Sequence, residues 1–221
     1  MNISDILSNV SANTRLSAHA GATTQPSKAQ SSASNSAAKV AAATSPLTKA
    51  NERIQKQVDS TKAQLSNLGI LKSSIAGLQV RSKEISSIPA DMSATDVTTL
   101  MAKFFNAFNT SVSSAHAASG VAADLRRAVS ADAEVSGAMR ELGLKVAPNG
   151  TLTHDAKKFA TALLKDPAAV RGAMKSIGTK AGLTADRELA NGASLESKVS
   201  SLNQRGTLLA AQQKAIKAYS A

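Results

Sequence analysis

Cysteine is absent from this chain, which excludes disulfides, cysteine nucleophiles and metal sites built on thiolates. The absence suits a protein that is exported unfolded and then works outside the cell. Tryptophan is absent as well, and aromatics amount to 2%, one Tyr and four Phe. Compact cores draw much of their buried area from aromatic rings. The apolar content of 43% is instead rich in alanine, which buries little surface per residue, so an elongated, helix-rich molecule is expected. There is no apolar run of about 18 residues, so no membrane span is expected. The opening MNISDILSNV has neither a basic start nor a long apolar stretch, so no secretory signal peptide is expected either.

Positive charge is abundant, with 26 Lys and Arg against 15 Asp and Glu and a net +11. Such an excess suits nucleic acid or an acidic membrane surface when it is concentrated on one face. Here it is spread along the chain, and no aromatics lie among the basic residues to stack on bases. No nucleic-acid partner is expected. Nor is an enzyme. The three histidines, His19, His116 and His154, do not pair at helical spacing, so a metal site lacks ligands. His154 beside Asp155 reads as polar residues in a helix's first turn. No phosphate loop, dinucleotide fingerprint or serine elbow is present, and no cofactor is expected.

Four segments follow from the patterning. Residues 1–45 are expected to be a disordered export or terminal segment, being mostly Ser, Ala, Thr and Asn with little to bury. Within it Ile3, Ile6, Leu7 and Val10 form one short apolar face, either a frayed turn or a segment that docks on a partner or is read during export. Residues 46–90 are an N-terminal coiled-coil helix. Ile54, Val58, Thr61, Leu65 and Leu68 step by four and three, then Leu71, Ile75 and Leu78 resume after a second step of three. Residues 188–221 carry a matching seam of Leu195, Val199, Leu202, Gly206, Leu209, Gln213 and Ile216. Each stripe needs a partner. Antiparallel pairing of the two satisfies both; the alternative is that each helix packs separately on the middle of the chain.

The middle, 91–187, is expected to be a small helical head. Ser93 and Asp96 resemble a capping box opening a helix that buries Val97, Met101, Phe104, Phe108 and Val112. A second helix is expected from about Ala122 to Glu141, with Leu125, Val129, Met139 and Leu142 apolar. A hairpin near 142–153 comes next, LGLKV returning as TLT through Pro148, Asn149 and Gly150. Thr153 is placed as the cap of the next helix, which buries Phe159 and Leu163. Asp166 then caps a further helix with Pro167 at its first position and Val170, Met174 and Ile177 inside. The head core is therefore Phe104, Phe108, Leu142, Leu152, Phe159, Leu163 and Val170.

This order of elements resembles the flagellar filament cap family, also called hook-associated protein 2. The segment AQLSNLGILKSSIAGLQ (63–79) is similar to part of that family's heptad helix. FFNAFN (104–109) is similar to its Phe-Val-x-x-Tyr-Asn motif through Phe104, Phe108 and Asn109. MRELGLKVAPNGTLTHDAKKFATALLKDPAAV (139–170) looks like its Leu-Gly, hairpin, Gly-Thr-Leu and Asp-Pro-x-x-Val run, with Asn149 where Asp is commoner. The resemblance covers roughly 46–88 and 95–219. Family members insert large β-rich domains where this chain has only the link 87–99.

The resemblance implies a structural protein exported through the flagellar type III pathway and acting at the filament tip. Its partners would be further copies of itself, flagellin, the hook–filament junction proteins and an export chaperone. The fold implied by residues and resemblance together is mainly α: an elongated antiparallel coiled-coil stalk with a small helical head and one hairpin. Self-association is assigned to the seam residues Ile54, Val58, Leu65, Leu68, Leu71, Ile75, Leu78, Leu195, Val199, Leu202, Leu209 and Ile216. The competing readings are another type III-exported axial or translocator protein, and an intracellular regulator derived from a truncated cap protein.

Overall fold

The computed structural model describes residues 32–118 and 133–220, with side-chain surroundings over 46–118 and 136–219. Residues 1–31, 119–132 and 221 lie outside the described residues, and with them Ile3, Ile6, Leu7, Val10, His19, Leu125 and Val129. The described elements are mainly helical: α1 (Ser32–Ser86), α2 (Ala94–Ala117), α3 (Ala133–Glu141), β1 (Leu144–Val146), β2 (Leu152–His154), α4 (Ala156–Lys165), α5 (Pro167–Leu189) and α6 (Ser194–Ser220). The chain divides at Pro46 into two units, Met1–Ser45 and Pro46–Ala221. The described residues of the first are helical; the hairpin and the other helices belong to the second.

Helix α1 starts at Ser32 and contains Pro46, so the disordered segment expected up to residue 45 is helical where it is described. The run AAKVAAA supplies residues of high helix propensity. It needs no large apolar face to read as helix, which is why the amphipathic pattern gave no sign of it.

Three helices lie against α1. From α2, Ser111 Oγ donates to the Ser74 carbonyl at 2.9 Å, and the Ala117 carbonyl accepts from Asn67 Nδ2 at 3.2 Å. From α5, Asp186 Oδ1 accepts from Gln79 Nε2 at 2.5 Å, while Gly178 lies against Ile85 and the Ser82 carbonyl. From α6, Gln213 Nε2 donates to Gln55 Oε1 at 2.6 Å, and Gly206 faces Thr61. In each pair the partner numbers fall as the α1 numbers rise, so all three run antiparallel to α1 where they touch it. The last helix therefore covers only the first part of this stretch of α1. The second part is met by α5, which the sequence pattern places in the head.

One hydrophobic cluster joins the seam to the head, from Leu68, Leu71, Ile75 and Leu78 through the phenylalanines of α2 to Leu195. The rings of Phe104, Phe105 and Phe108 come from a single stretch of α2, with tilted neighbours 6.2 and 6.1 Å apart between centroids. Leu142, Leu152, Phe159, Leu163 and Val170 are buried in the same cluster.

The local start signals explain the helix boundaries. Ser93 Oγ accepts from the Asp96 amide at 3.1 Å and donates to its carboxylate at 2.6 Å, which fixes the start of α2. Asp166 caps α5, accepting from the Ala169 amide at 2.9 Å, with Pro167 following. Helix α4 is capped by Asp155 and not by Thr153. The antiparallel ladder pairs Lys145 with Thr153 and Leu144 with His154. The strand thus runs through the expected cap, and the carboxylate after it accepts from the Lys157 and Lys158 amides at 3.0 Å each.

The hairpin is held at its turn and along its edge. Asn149 Oδ1 accepts from the Thr151 amide at 3.1 Å and hydroxyl at 2.7 Å, and Gly150 takes φ +86°, a left-handed angle that costs glycine little. On the edge, Asn109 of α2 presents its amide to Leu152. Nδ2 donates to the Leu152 carbonyl at 2.9 Å, and Oδ1 accepts from the Leu152 amide at 2.7 Å. One side chain thereby satisfies both main-chain groups of a strand residue, as a further strand would.

Candidate self-association surface

All twelve seam residues are covered to some degree, and they are covered by their own chain. Leu68, Leu71, Ile75, Leu78, Leu195 and Leu209 are buried; Ile54, Val58, Leu65, Val199, Leu202 and Ile216 are half-buried. Thr61 is also buried, with its hydroxyl returned to the Gln57 carbonyl at 2.8 Å. Burial grades along the seam. On α1 it is complete from Leu68 to Leu78, where α2 and α5 also touch the helix, while in the outer stretch Ile54, Val58 and Leu65 are only partly covered although Thr61 and Leu209 are buried.

The α1–α5 contact has a different chemistry from the leucine seam. A β-carbon added at Gly178 would sit 2.5 Å from Ile85 Cγ1 and 2.8 Å from the Ser82 carbonyl oxygen. One added at Gly182 would sit 3.4 Å from Ser82 Cβ. Two glycines one turn apart, with buried Ala181 and Ala185 beside them, let the backbones approach more closely than side chains would allow. Ser82 is fully buried, and its Oγ has no hydrogen-bond partner.

Outward of this contact runs a groove of about 580 Å³ with Gly178 and Gly182 among its lining residues and Val80 and Leu183 on opposite sides. Both are large apolar residues, each 54% exposed. Lys83 and Asp186 also line it. Nearby, Arg81 pairs with Glu84 at 2.7 Å. Sequence reasoning missed this surface because glycine and alanine carry no amphipathic signal. The spacing Gly178-x-x-x-Gly182 was the one available clue.

The two described histidines are engaged in the head. His116 Nε2 lies 2.8 Å from the Asn149 carbonyl, and the His154 ring stacks on Phe105 with centroids 5.0 Å apart. Among the described residues no three His, Cys, Asp or Glu side chains gather where a metal could bind. No described helix is long and apolar enough to cross a membrane. Comparisons with protein-family models, with curated proteins and with solved structures find no match to this chain.

Proposed function

We propose that this chain is a minimal filament-cap protein of the bacterial flagellum, of the hook-associated protein 2 kind. In this reading it leaves the cell through the flagellar type III pathway with an export chaperone's help and settles beyond the hook–filament junction proteins. At the filament tip it associates with further copies of itself and holds the end while flagellin subunits fold and add. The outer part of the helix pair, Ile54 to Leu65 with Leu202 to Ile216, is an elongated coiled-coil stalk, and α2 to α5 with the hairpin form its head.

The observation that carries the reading is the return of α6 onto α1, sealed by the bond between Gln213 and Gln55, with the resembling hairpin–helix run of 139–170 between them in the chain. The burial of the seam changes where association can occur. Leu68 is 3% exposed, so a charge placed there would attack the fold before any assembly. The contacts between copies belong on the outer faces.

The deciding experiment compares a deletion strain with its parent and a complemented strain. Unpolymerised flagellin in the medium, with short or absent filaments restored by complementation, is the expected result. Normal filaments without spilled flagellin refute the cap reading.

A further inference from the structure

We propose that the groove between α1 and α5 is the surface on which a second copy of this chain docks, about a two-fold axis. The inference rests on the self-association in the reading above and names the face that carries it.

Three observations select the occupant. Val80 and Leu183 stand on opposite sides of the groove, each more than half exposed, while the apolar seam residues beside them are buried. The glycines lining the groove keep its centre low, so apolar side chains can enter it. The titratable groups lining the groove are Lys83 and Asp186, of opposite sign. Arg81 and Glu84 neutralise one another close by.

Two copies of a chain with net charge +11 repel one another over most orientations. A face whose own charges sum to zero is where they can meet. A two-fold contact is self-complementary, since each residue pair occurs twice with roles exchanged. Here it sets the apolar pair of one copy against the same pair of the other and lets each Lys83 reach the opposite Asp186. An acidic partner would leave Asp186 facing like charge, and a basic one would do the same to Lys83.

Size limits the strength. The groove runs along α1 from Gln79 to Ser86, roughly two helical turns and two helix widths. That is well below the ~800 Å² per partner of a stable dimer. The association is accordingly weak and concentration-dependent.

The test is sedimentation equilibrium of the full chain over a wide concentration range, with far-UV circular dichroism to verify folding. The wild type is expected to rise above the monomer mass of 22.6 kDa as concentration increases. The double variant Val80→Glu/Leu183→Glu should associate about tenfold more weakly or not at all. Lys83→Glu and Asp186→Lys should each weaken association, and the two together should restore much of it. A monomer at every concentration overturns the inference, leaving the deletion-strain phenotype to judge the cap reading. Association unchanged in the apolar double variant also overturns it and places self-association on another face.

Discussion

Replacing Gly178 by alanine tests whether the glycine contact sets the distance between α1 and α5. In a helix interior Gly→Ala is worth about 1 kcal/mol of stability through propensity alone. At Gly178 the new methyl meets Ile85 Cγ1 at 2.5 Å and the Ser82 carbonyl oxygen at 2.8 Å, where nonbonded atoms prefer about 3.5–4.0 Å. Ile85 is 1% exposed and has little space to retreat, and a main-chain oxygen cannot rotate aside. Overpacking of this kind costs about 1–3 kcal/mol, here toward the upper end, so the net change is a loss of about 1–2 kcal/mol. Gly172 lies on the same helix with nothing within 4 Å of its added carbon. Gly172→Ala should therefore gain about 1 kcal/mol. The same chemical change on one helix is expected to move stability in opposite directions, separating the variants by roughly 4–12 °C in Tm. Urea and thermal unfolding followed by far-UV circular dichroism measure both. Equal stabilities, or a Gly178→Ala chain more stable than wild type, would refute the close approach.

Other substitutions probe separate features. Ser82→Ala removes a buried hydroxyl that lacks a partner and should stabilise the chain by about 1 kcal/mol in the same unfolding assay; a loss would reveal a bond made by Oγ. Asn109→Ala deletes both bonds to Leu152 and should cost about 2 kcal/mol. Faster hydrogen exchange at the Leu152 amide would accompany the loss, and unchanged exchange there would contradict the edge role. Asp155→Ala should cost about 1 kcal/mol through the lost cap. Thr153→Ala should change stability by no more than about 0.5 kcal/mol, and the reverse order of these two would return the cap to Thr153.

Features made by neighbours in sequence were the legible ones. The Ser93–Asp96 box, the Asp166–Pro167 start and the turn at Asn149–Gly150 each depend on a few adjacent residues and stand where they were read. The leucine seam was legible because large side chains at three- and four-residue steps mark a face. Its partner was less so: α5 meets α1 through Gly178, Ala181, Gly182 and Ala185, whose small size is the means of contact and leaves no periodic signal. The helix before Pro46 was hidden because alanine favours helix without marking a side. Asn109 stood out within the resembling motif. Its bond to a residue 43 positions away became visible only with the fold, as did the displacement of the α4 cap by the strand before it.

The bond between Gln55 and Gln213 joins residues 158 positions apart, and this bears on how the molecule is made. Closing a flexible loop of that length costs about 4.5 kcal/mol of chain entropy beyond its fixed part. Once the head has formed, α5 is already laid along α1, and α6 has only to continue from it. The contacts along α1 run from Ile85 against Gly178 at one end to Gln55 against Gln213 at the other. A chain whose α6 is undocked would leave Ile54, Val58 and Leu65 uncovered. The exposed surface is thus set by one docking event: α6 hides the sticky stripe of α1, and a copy in which that helix is undocked is marked for proteolysis or aggregation by what it fails to cover.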